Sequence, residues 1–257
     1  MAVVSSEKKI FVAEGTRARI KVFDWNGDPL YSFDAWPKSL SIPRGYPTGL
    51  ALDDRNHLYV ADLRNRDVFV FDEAGSYLYS LKRRGAKLGR PTALTYSHNK
   101  LYVSDTSDQT IKVFGLKGKL LESFGGPGML GGQFNFVTGL AVDGMGRILV
   151  ADSNNHRVQV LSRTGRFIRD LRPPKGLRFS LPRAVVVDNL SRAYVVDTFN
   201  KMGLIFDSDG RYVNSFENAD NEDLPTMPNA IAVDSRRRRI VLTDKITGRL
   251  SAWEFGE

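Results

Sequence analysis

The stretch GLAVDGMGRILVADSNNHRVQVLSRTGRFIRDL, residues 139–171, contains four short segments that are separated by glycine-containing or polar turns. Apolar and polar residues alternate within the segments, as they do in a β-strand that buries one face. The turns are short enough to join neighbouring antiparallel strands. We therefore predict a four-stranded antiparallel sheet, in which Asp152 ends the second strand and Arg157 begins the third.

The same pattern recurs along the chain, with copies about 43 to 48 residues apart, which is the length of one propeller blade. In each copy a carboxylate closes the second strand, and another apolar strand begins five residues later. The closing carboxylates are Glu14, Asp62, Asp105, Asp152, Asp197 and Asp244. We predict an all-β fold, a six-bladed β-propeller of four-stranded antiparallel blades, with residues 1–257 as a single domain.

The predicted blades span about residues 1–34, 46–81, 90–124, 136–171, 181–216 and 227–257. The last copy contains three of the four strands, so we predict that the sixth blade is incomplete in this sequence. Its third strand is expected either to receive a strand that precedes Met1 in a longer protein or to form a free edge.

Composition narrows the classes of protein that the chain can represent. The 257 residues include no cysteine, which excludes disulfides and thiolate metal sites. We expect no membrane insertion, because no apolar run is long enough to span a bilayer. The first residues lack the pattern of a signal peptide. The net charge of +8 favours anionic partners. A location outside the cytoplasm is favoured if an upstream signal segment has been removed.

The copies resemble NHL repeats. The residues that carry the resemblance are Ala61, Asp62, Ala151, Asp152 and the run Asn154–Val160. Blade five departs from the pattern, because Phe199–Met202 replaces the Asn-His-Arg turn. The resemblance implies a six-bladed propeller. Known members of the family include scaffolds, RNA-binding domains, receptor sensor domains and a zinc lyase, and related bacterial propellers occur in envelope proteins. The resemblance therefore leaves the activity open.

Residues for catalysis or metal binding do not form a recognisable set. His57 and His98 fall in turns between first and second strands, whereas His156 falls in a turn at the opposite strand ends. They are therefore not expected to share a catalytic zinc ion, which needs three protein ligands. No serine has the sequence context of a triad. We predict no catalytic residue, metal ligand or cofactor, and a metal-dependent propeller lyase or hydrolase is the weaker alternative.

The carboxylates that close the second strands are expected to be structural. Each one would accept hydrogen bonds from the turn that follows it. In blades one, four and six it would also face the arginine five residues further on.

A second candidate group lies at the starts of the innermost strands, which border the channel mouth of a propeller. Its members are Thr48, Thr92, Thr138, Arg183 and Asn229. Hydroxyls, an amide and a cation do not suit calcium or magnesium, which prefer several carboxylates. We expect either a small polar or anionic ligand over Arg183 or a hydrated channel lining without a ligand.

A basic set on the inter-blade connections and the turns beside them is the predicted partner-binding surface. Its members are Arg64, Arg66, Arg83, Arg84, Lys87, Arg90, Arg172, Lys175 and Arg178. Trp36, Tyr46 and Phe179 are interleaved aromatics that could stack on unpaired bases. An acidic stretch would interrupt the charge; it contains Glu217, Asp220, Glu222 and Asp223.

The connection at residues 125–133, GGPGMLGGQ, has apolar Met129 and Leu130 at its centre. It is interpreted either as a common glycine-rich connection or as a plug against a partner. Together these features predict a non-catalytic protein-binding scaffold, within a larger assembly of a bacterial envelope. An RNA-binding propeller that uses the basic loops is the alternative.

Overall fold

A computed structural model describes residues 2–216 and 227–254, without the side chain of Arg83. These residues form β-strands, turns and three short 3₁₀ helices, at Lys38–Leu40, Lys82–Arg84 and Ser153–Asn155. None of the helices in the described ranges is long and apolar enough to cross a membrane. The chain divides into two compact units, Met1–Phe124 and Gly125–Glu257.

The first unit contains three four-stranded antiparallel sheets, each with its strands in chain order. The strands of the first sheet are β1 (Ala2–Ser5), β2 (Ile10–Glu14), β3 (Arg19–Phe23) and β4 (Pro29–Asp34). The second comprises β5 (Pro47–Leu52), β6 (Leu58–Asp62), β7 (Asp67–Phe71) and β8 (Tyr77–Ser80). The third comprises β9 (Pro91–Ser97), β10 (Lys100–Asp105), β11 (Thr110–Gly115) and β12 (Leu120–Gly125).

The second unit begins with two further four-stranded sheets. The first comprises β13 (Val137–Val142), β14 (Ile148–Asp152), β15 (Arg157–Leu161) and β16 (Phe167–Asp170). The next comprises β17 (Pro182–Val187), β18 (Ala193–Asp197), β19 (Met202–Phe206) and β20 (Tyr212–Phe216).

The last sheet has three strands within the described residues. They are β21 (Pro228–Asp234), β22 (Arg239–Asp244) and β23 (Leu250–Glu254). β23 begins one residue later than the repeat predicts. The reason is a wider turn, in which the N–H of Gly248 donates to the carbonyl of Asp244 at 3.1 Å.

The sheets are the blades of a β-propeller, which confirms the predicted fold class. Within the first unit β1 packs on β5 and β5 on β9, so the innermost strands of successive blades are neighbours. In the second unit β13, β17 and β21 make the same contacts. Five blades have four strands and the sixth has three among the described residues, as predicted. A single domain over residues 1–257 stays a prediction.

Tight turns fix the register between third and fourth strands. In blade four the N–H of Gly165 donates to the carbonyl of Ser162 at 2.9 Å. Gly165 has φ of +78°, a conformation that glycine adopts without a Cβ penalty. The glycines three residues into the corresponding turns of the other complete blades also have positive φ.

The hydrophobic core lies between neighbouring blades. In the first unit Phe11, Phe69 and Phe71 are buried in one cluster shared by the first two blades. In the second unit Val160, Leu204 and Phe206 lie in a cluster shared by blades four and five. Within each unit, neighbouring blades therefore bury their apolar faces against each other, as stacked repeats do.

Candidate functional site

The aspartates that end the second strands hold the loops that lead into their own blades. Asp105 accepts the N–H groups of Gly89 and Arg90, both at 2.8 Å. Asp152 accepts the N–H of Asn135 at 2.6 Å. The same contact recurs in blades two, five and six, where the donors are Tyr46, Ser180, Leu181 and Met227. These buried carboxylates are structural, and each one fixes an inter-blade connection.

Only part of the expected arginine pairing is present. In blade four the Nε of Arg157 donates to Asp152 at 2.9 Å, as predicted. The prediction for blade one was wrong, because Glu14 pairs with Arg17 and Lys21 rather than with the arginine five residues on. That arginine begins β3 with an exposed side chain. In blade six Asp244 accepts backbone N–H groups from the turn that follows it.

Blade three uses a cation that the sequence analysis missed. The Nζ of Lys112 lies 2.6 Å from Asp105, seven residues along the chain. Burial alone would raise the pKa of Asp105, but hydrogen bonds from the Gly89 N–H and from Lys112 bring that pKa well below its usual range. The alternation of β11 could have revealed the pair, because Lys112 and Thr110 are on the same face.

Blade two has a second aspartate, Asp67, at the position of Arg157 in blade four. Asp67 and Asp62 are both buried and are paired across β6 and β7. Burial raises the pKa of Asp67, although N–H groups of Lys82 and Val68 donate to its carboxylate. A buried carboxylate with this arrangement opposes folding when it is charged.

The basic residues of the first unit do not all face the same way. Arg66, Lys87 and Arg90 are exposed, and none of them forms a side-chain ion pair within the described residues. Arg64 is also exposed and donates to the carbonyl of Arg44 at 3.4 Å.

Arg84 turns away from the other basic residues. Its guanidinium lies 3.6 Å from the ring centroid of Tyr79 and donates to the carbonyl of Leu116. Leu116 follows β11, at the opposite end of that strand from the turn that precedes Thr110. Arg84 therefore forms a contact between blades two and three. The side chain of Arg83 lies outside the described residues.

In the second unit Arg172, Lys175 and Arg178 are exposed on the connection between β16 and β17. Arg172 helps to lower the pKa of Asp170, which burial raises. The predicted acidic interruption at Glu217, Asp220, Glu222 and Asp223 lies outside the described residues.

The aromatic residues of the predicted surface differ in exposure. Trp36 has Lys38 and Arg44 over its ring, at 5.8 and 5.9 Å from the centroid, and Tyr46 is exposed. The prediction for Phe179 was wrong. Only 6% of Phe179 is exposed, because its ring packs on Phe206 in the core between blades.

The glycine-rich connection of the second unit is fastened to blade four. One Nη of Arg157 donates to the carbonyls of Leu130 and Gln133, both at 2.9 Å. Asn155 donates to the carbonyl of Gly128 at 2.8 Å. Despite these bonds, the side chains of Met129 and Leu130 are 76% and 72% exposed. The loop therefore presents two large apolar side chains on a fixed backbone.

The residues that start the innermost strands lie at β-bulges, and two of the threonines bond the next blade. The hydroxyl of Thr48 donates to the carbonyl of Pro91, and that of Thr138 to the carbonyl of Arg183 at 2.8 Å. Thr92 shares a hydrogen bond with Ser104. Whether this set binds a ligand stays a prediction.

Ser153 and Thr198, which sequence reasoning missed, also donate across blades, to the carbonyls of Pro182 and Pro228, both at 2.6 Å. Each follows directly after a strand-closing aspartate. This repeated position could have identified both residues as donors to the neighbouring blade.

The three histidines are each engaged locally. His57 lies 3.0 Å from Asp53, His98 contacts Ser97, and His156 contacts the carbonyl of Ser180. Within residues 2–216 and 227–254 there is no group of three or more His, Cys, Asp or Glu side chains that could hold a metal ion.

Comparisons with known proteins match the chain to NHL-repeat proteins. The family model described as NHL repeat matches residues 45–71 and 134–161. NHL repeat-containing protein 3 of Mus musculus is 29% identical over 223 residues, which cover 77% of this chain and 63% of the relative. The chain thus spans less than two thirds of that relative's length.

Two solved structures are similar in fold. Virginiamycin B lyase from Staphylococcus aureus has a TM-score of 0.66 at 12% identity, covering 100% of this chain and 84% of its own. A gluconolactonase from Xanthomonas campestris has a TM-score of 0.70 at 17% identity, covering 95% of this chain and 82% of its own. At these identities the likeness concerns the fold alone.

Proposed function

Because the chain belongs to the NHL-repeat family of β-propellers, we propose that it is a non-catalytic platform that binds another protein through its inter-blade loops. The observation that carries the proposal is the fixed loop that exposes Met129 and Leu130 in the second unit. Arg172, Lys175 and Arg178 are exposed on the next inter-blade connection of the same unit. The setting within a bacterial envelope assembly stays a prediction.

The use of the carboxylates supports a binding role. Asp105 and Asp152 are occupied by backbone N–H groups and by Lys112 or Arg157. A general acid or base needs a carboxyl group that can reach a substrate proton. These buried side chains instead position the loops, and the loops carry the residues that we assign to partner binding.

Two features of the apolar loop favour a protein partner. Exposed Met and Leu side chains gain free energy when a partner removes them from water, about 25 cal/mol per Å² of apolar surface. In addition, Arg157 and Asn155 already hold the backbone, so binding would cost little ordering entropy. Nearby arginines and lysines would add charge complementarity to an acidic rim.

The proposal is tested with a double variant, Met129→Ser with Leu130→Ser. A partner is first identified by cross-linking to the native protein and is then purified for calorimetry. We expect the double variant to weaken binding by about tenfold or more, as loss of central apolar contacts does at interfaces. The matched control is Met145→Ser with Leu190→Ser, since these side chains are 72% and 63% exposed on first-to-second-strand turns.

Retained binding by the loop variant would contradict the assignment, and so would loss of binding in the Met145 and Leu190 control alone. Turnover of a substrate by the purified protein, together with a stoichiometric bound cation, would instead favour the metal-dependent alternative. Thermal melting of each variant checks that the fold is unchanged.

RNA binding is the second candidate, and the aromatic and basic residues of the first unit favour it. Trp36 lies among Lys38 and Arg44, and Arg66, Lys87 and Arg90 project from neighbouring loops. Binding to a random RNA pool should then weaken steeply with salt. Charge reversal at Arg66, Lys87 and Arg90 should reduce that salt dependence, whereas reversal at Arg163 and Arg166 should not. Absent or salt-insensitive binding would remove this candidate.

A further inference from the structure

Arg183 occupies a special position in the second unit. It is the second residue of β17, and the pairing of β17 with β18 shifts register at this residue. The equivalent residue of blade four, Thr138, lies at a similar shift and uses its hydroxyl to bond the next blade. A β-bulge re-aims a side chain relative to the sheet. Blade five therefore has a long cation where blade four has a short hydroxyl.

The guanidinium of Arg183 lacks a partner within the described residues. Its Nε is buried and makes no hydrogen bond there, and no carboxylate forms an ion pair with the side chain. Burial lowers the pKa of Arg183, and no other group offsets that effect. Burying a charged donor without an acceptor is costly, so native proteins usually pair such groups.

Three other partly buried arginines of the second unit have carboxylate partners. Arg147, Arg157 and Arg192 each direct Nε to a buried aspartate, at 2.6 to 2.9 Å. Arg169, on the outer strand β16, also has a buried Nε without a hydrogen bond, so Arg183 is distinguished by its position at the start of an innermost strand. The buried aspartate of the same blade, Asp197, already accepts the N–H groups of Ser180 and Leu181.

Carbonyl groups around the strand starts already accept hydrogen bonds. The carbonyl of Pro182 accepts from Ser153, and that of Pro228 accepts from Thr198. The carbonyl of Arg183 itself accepts from Thr138. The groups that begin β17 and β21 are thus engaged in joining blades, and an acceptor for Arg183 can come from a bound molecule.

We propose that Arg183 is the anchoring residue of a binding site for a carboxylate ligand at the start of β17. The two terminal nitrogens of a guanidinium lie side by side, in a geometry that matches the two oxygens of a carboxylate. Because the Nε of Arg183 is buried, the terminal nitrogens are the donors that a ligand would reach. The carboxylate belongs either to a small organic acid or to an acidic side chain of a peptide. The site stands independently of the partner surface proposed above.

The test uses the whole chain with ¹⁵N-labelled arginine, observed by NMR at the Nε–H groups. Acetate, succinate and citrate are titrated as small carboxylates, phosphate as a comparison anion, and a terminally blocked Glu-containing peptide as the protein-like source. We expect one Nε–H resonance, assigned by its loss in Arg183→Gln, to shift in a saturable manner. The ligand that binds most tightly identifies the source of the carboxylate.

Two variants distinguish binding at Arg183 from nonspecific attraction of anions by the positive charge of the protein. Arg183→Gln removes the cation, and Arg183→Lys retains the charge without the paired donors; each should weaken binding about tenfold or more, as expected for loss of a charge-assisted bidentate contact. The control Arg166→Gln, on an exposed turn, should bind as the native protein does.

Thermal melting provides an independent readout. Without ligand, Arg183→Gln should melt at or above the native temperature, because it removes an unpaired buried charge. With ligand, only the native protein should gain stability. The proposal is overturned by the absence of saturable binding to every probe, by unchanged affinity in Arg183→Gln, or by phosphate binding as tightly as the carboxylates.

Discussion

At the scale of single residues, the strand-closing aspartate has the same structural role in successive blades. The aspartate that closes a second strand lies next to the loop that enters its own blade, and its oxygens accept the N–H groups of that loop. Backbone donors in such loops have no strand partner, so the carboxylate replaces the missing acceptors. The variable part is the cation: Arg157 in blade four, Lys112 in blade three.

Replacement of Asp152 tests whether the carboxylate stabilises the fold by holding this loop. Asp152→Ala leaves Arg157 without its carboxylate and the Asn135 N–H without an acceptor. We expect the free energy of unfolding to fall by about 3–5 kcal/mol, the usual cost of breaking a buried pair from one side. Urea unfolding measures the change. The control Asp209→Ala removes an exposed pair with Arg211 and should cost about 0–1 kcal/mol. Equal effects of the two variants would contradict the structural role.

Asp67 gives the opposite expectation. Asp67→Asn keeps an oxygen for the N–H groups of Val68 and Lys82 and removes a buried charge beside Asp62. The raised pKa of Asp67 means that its charged form opposes folding. The variant should therefore be more stable than the native protein at pH 7, and the gain should shrink as the pH falls. Asp105→Asn, at a carboxylate with a lowered pKa, should be less stable.

At the scale of strands, close approach between blades depends on small residues. A Cβ at Gly139 would lie 2.9 Å from the Cα of Ala184 in the next blade. A Cβ at Gly49 would lie 2.5 Å from the carbonyl oxygen of Thr92. Hydroxyls at the adjacent positions, Thr48 and Thr138, then reach the next blade's carbonyls. The short side chains and the hydrogen bonds are parts of one inter-blade contact.

Gly139→Ala should push β13 from β17 and lower the free energy of unfolding by about 1–3 kcal/mol, as overpacking of a tight interior does. The matched control is Gly115→Ala in β11, where the nearest atom to the new Cβ would be 3.8 Å away. Differential scanning calorimetry of both variants gives the comparison. A Gly139 variant as stable as the Gly115 variant would show that the two blades can separate without cost.

At the scale of the whole chain, charge sets the response to pH. Burial would raise the pKa values of Asp105, Asp234 and Asp244, but hydrogen bonds lower all three. In the unfolded chain these groups titrate at about pH 3.9. Their stabilisation is therefore present above that pH and is lost as the pH falls through the lower, folded values. Asp67 and Asp170 have raised pKa values and act in the opposite direction.

We expect the free energy of unfolding to decrease from about pH 5 towards about pH 2, the range in which native carboxylates become protonated. Denaturant titrations at a series of pH values measure this slope. Asp105→Asn should have a shallower slope than the native protein, whereas Asp67→Asn should have a steeper one. A native slope of the opposite sign would mean that the carboxylates with raised pKa values dominate.

Much of the fold was predictable because it depends on local pattern. The positions of Asp62, Asp105 and Asp152 mark the ends of β6, β10 and β14, and alternation locates the strands beside them. The roles of Phe179 and Arg84 were not predictable in this way. Phe179 is buried against Phe206, and Arg84 donates to the carbonyl of Leu116. Both of these partners lie more than one strand away in sequence, although Arg84 also contacts the nearby Tyr79.

The sequence by itself determined the number of blades, their strand order and the turns that join them, because alternation and glycine placement act over a few neighbouring residues. Only the tertiary structure decided which charges are paired and which apolar side chains remain exposed. Lys112 meets Asp105, Met129 and Leu130 face solvent, and Arg183 is partly buried without a partner among the described residues. Those outcomes depend on the packing of one blade against the next, which brings together residues that are distant in the chain.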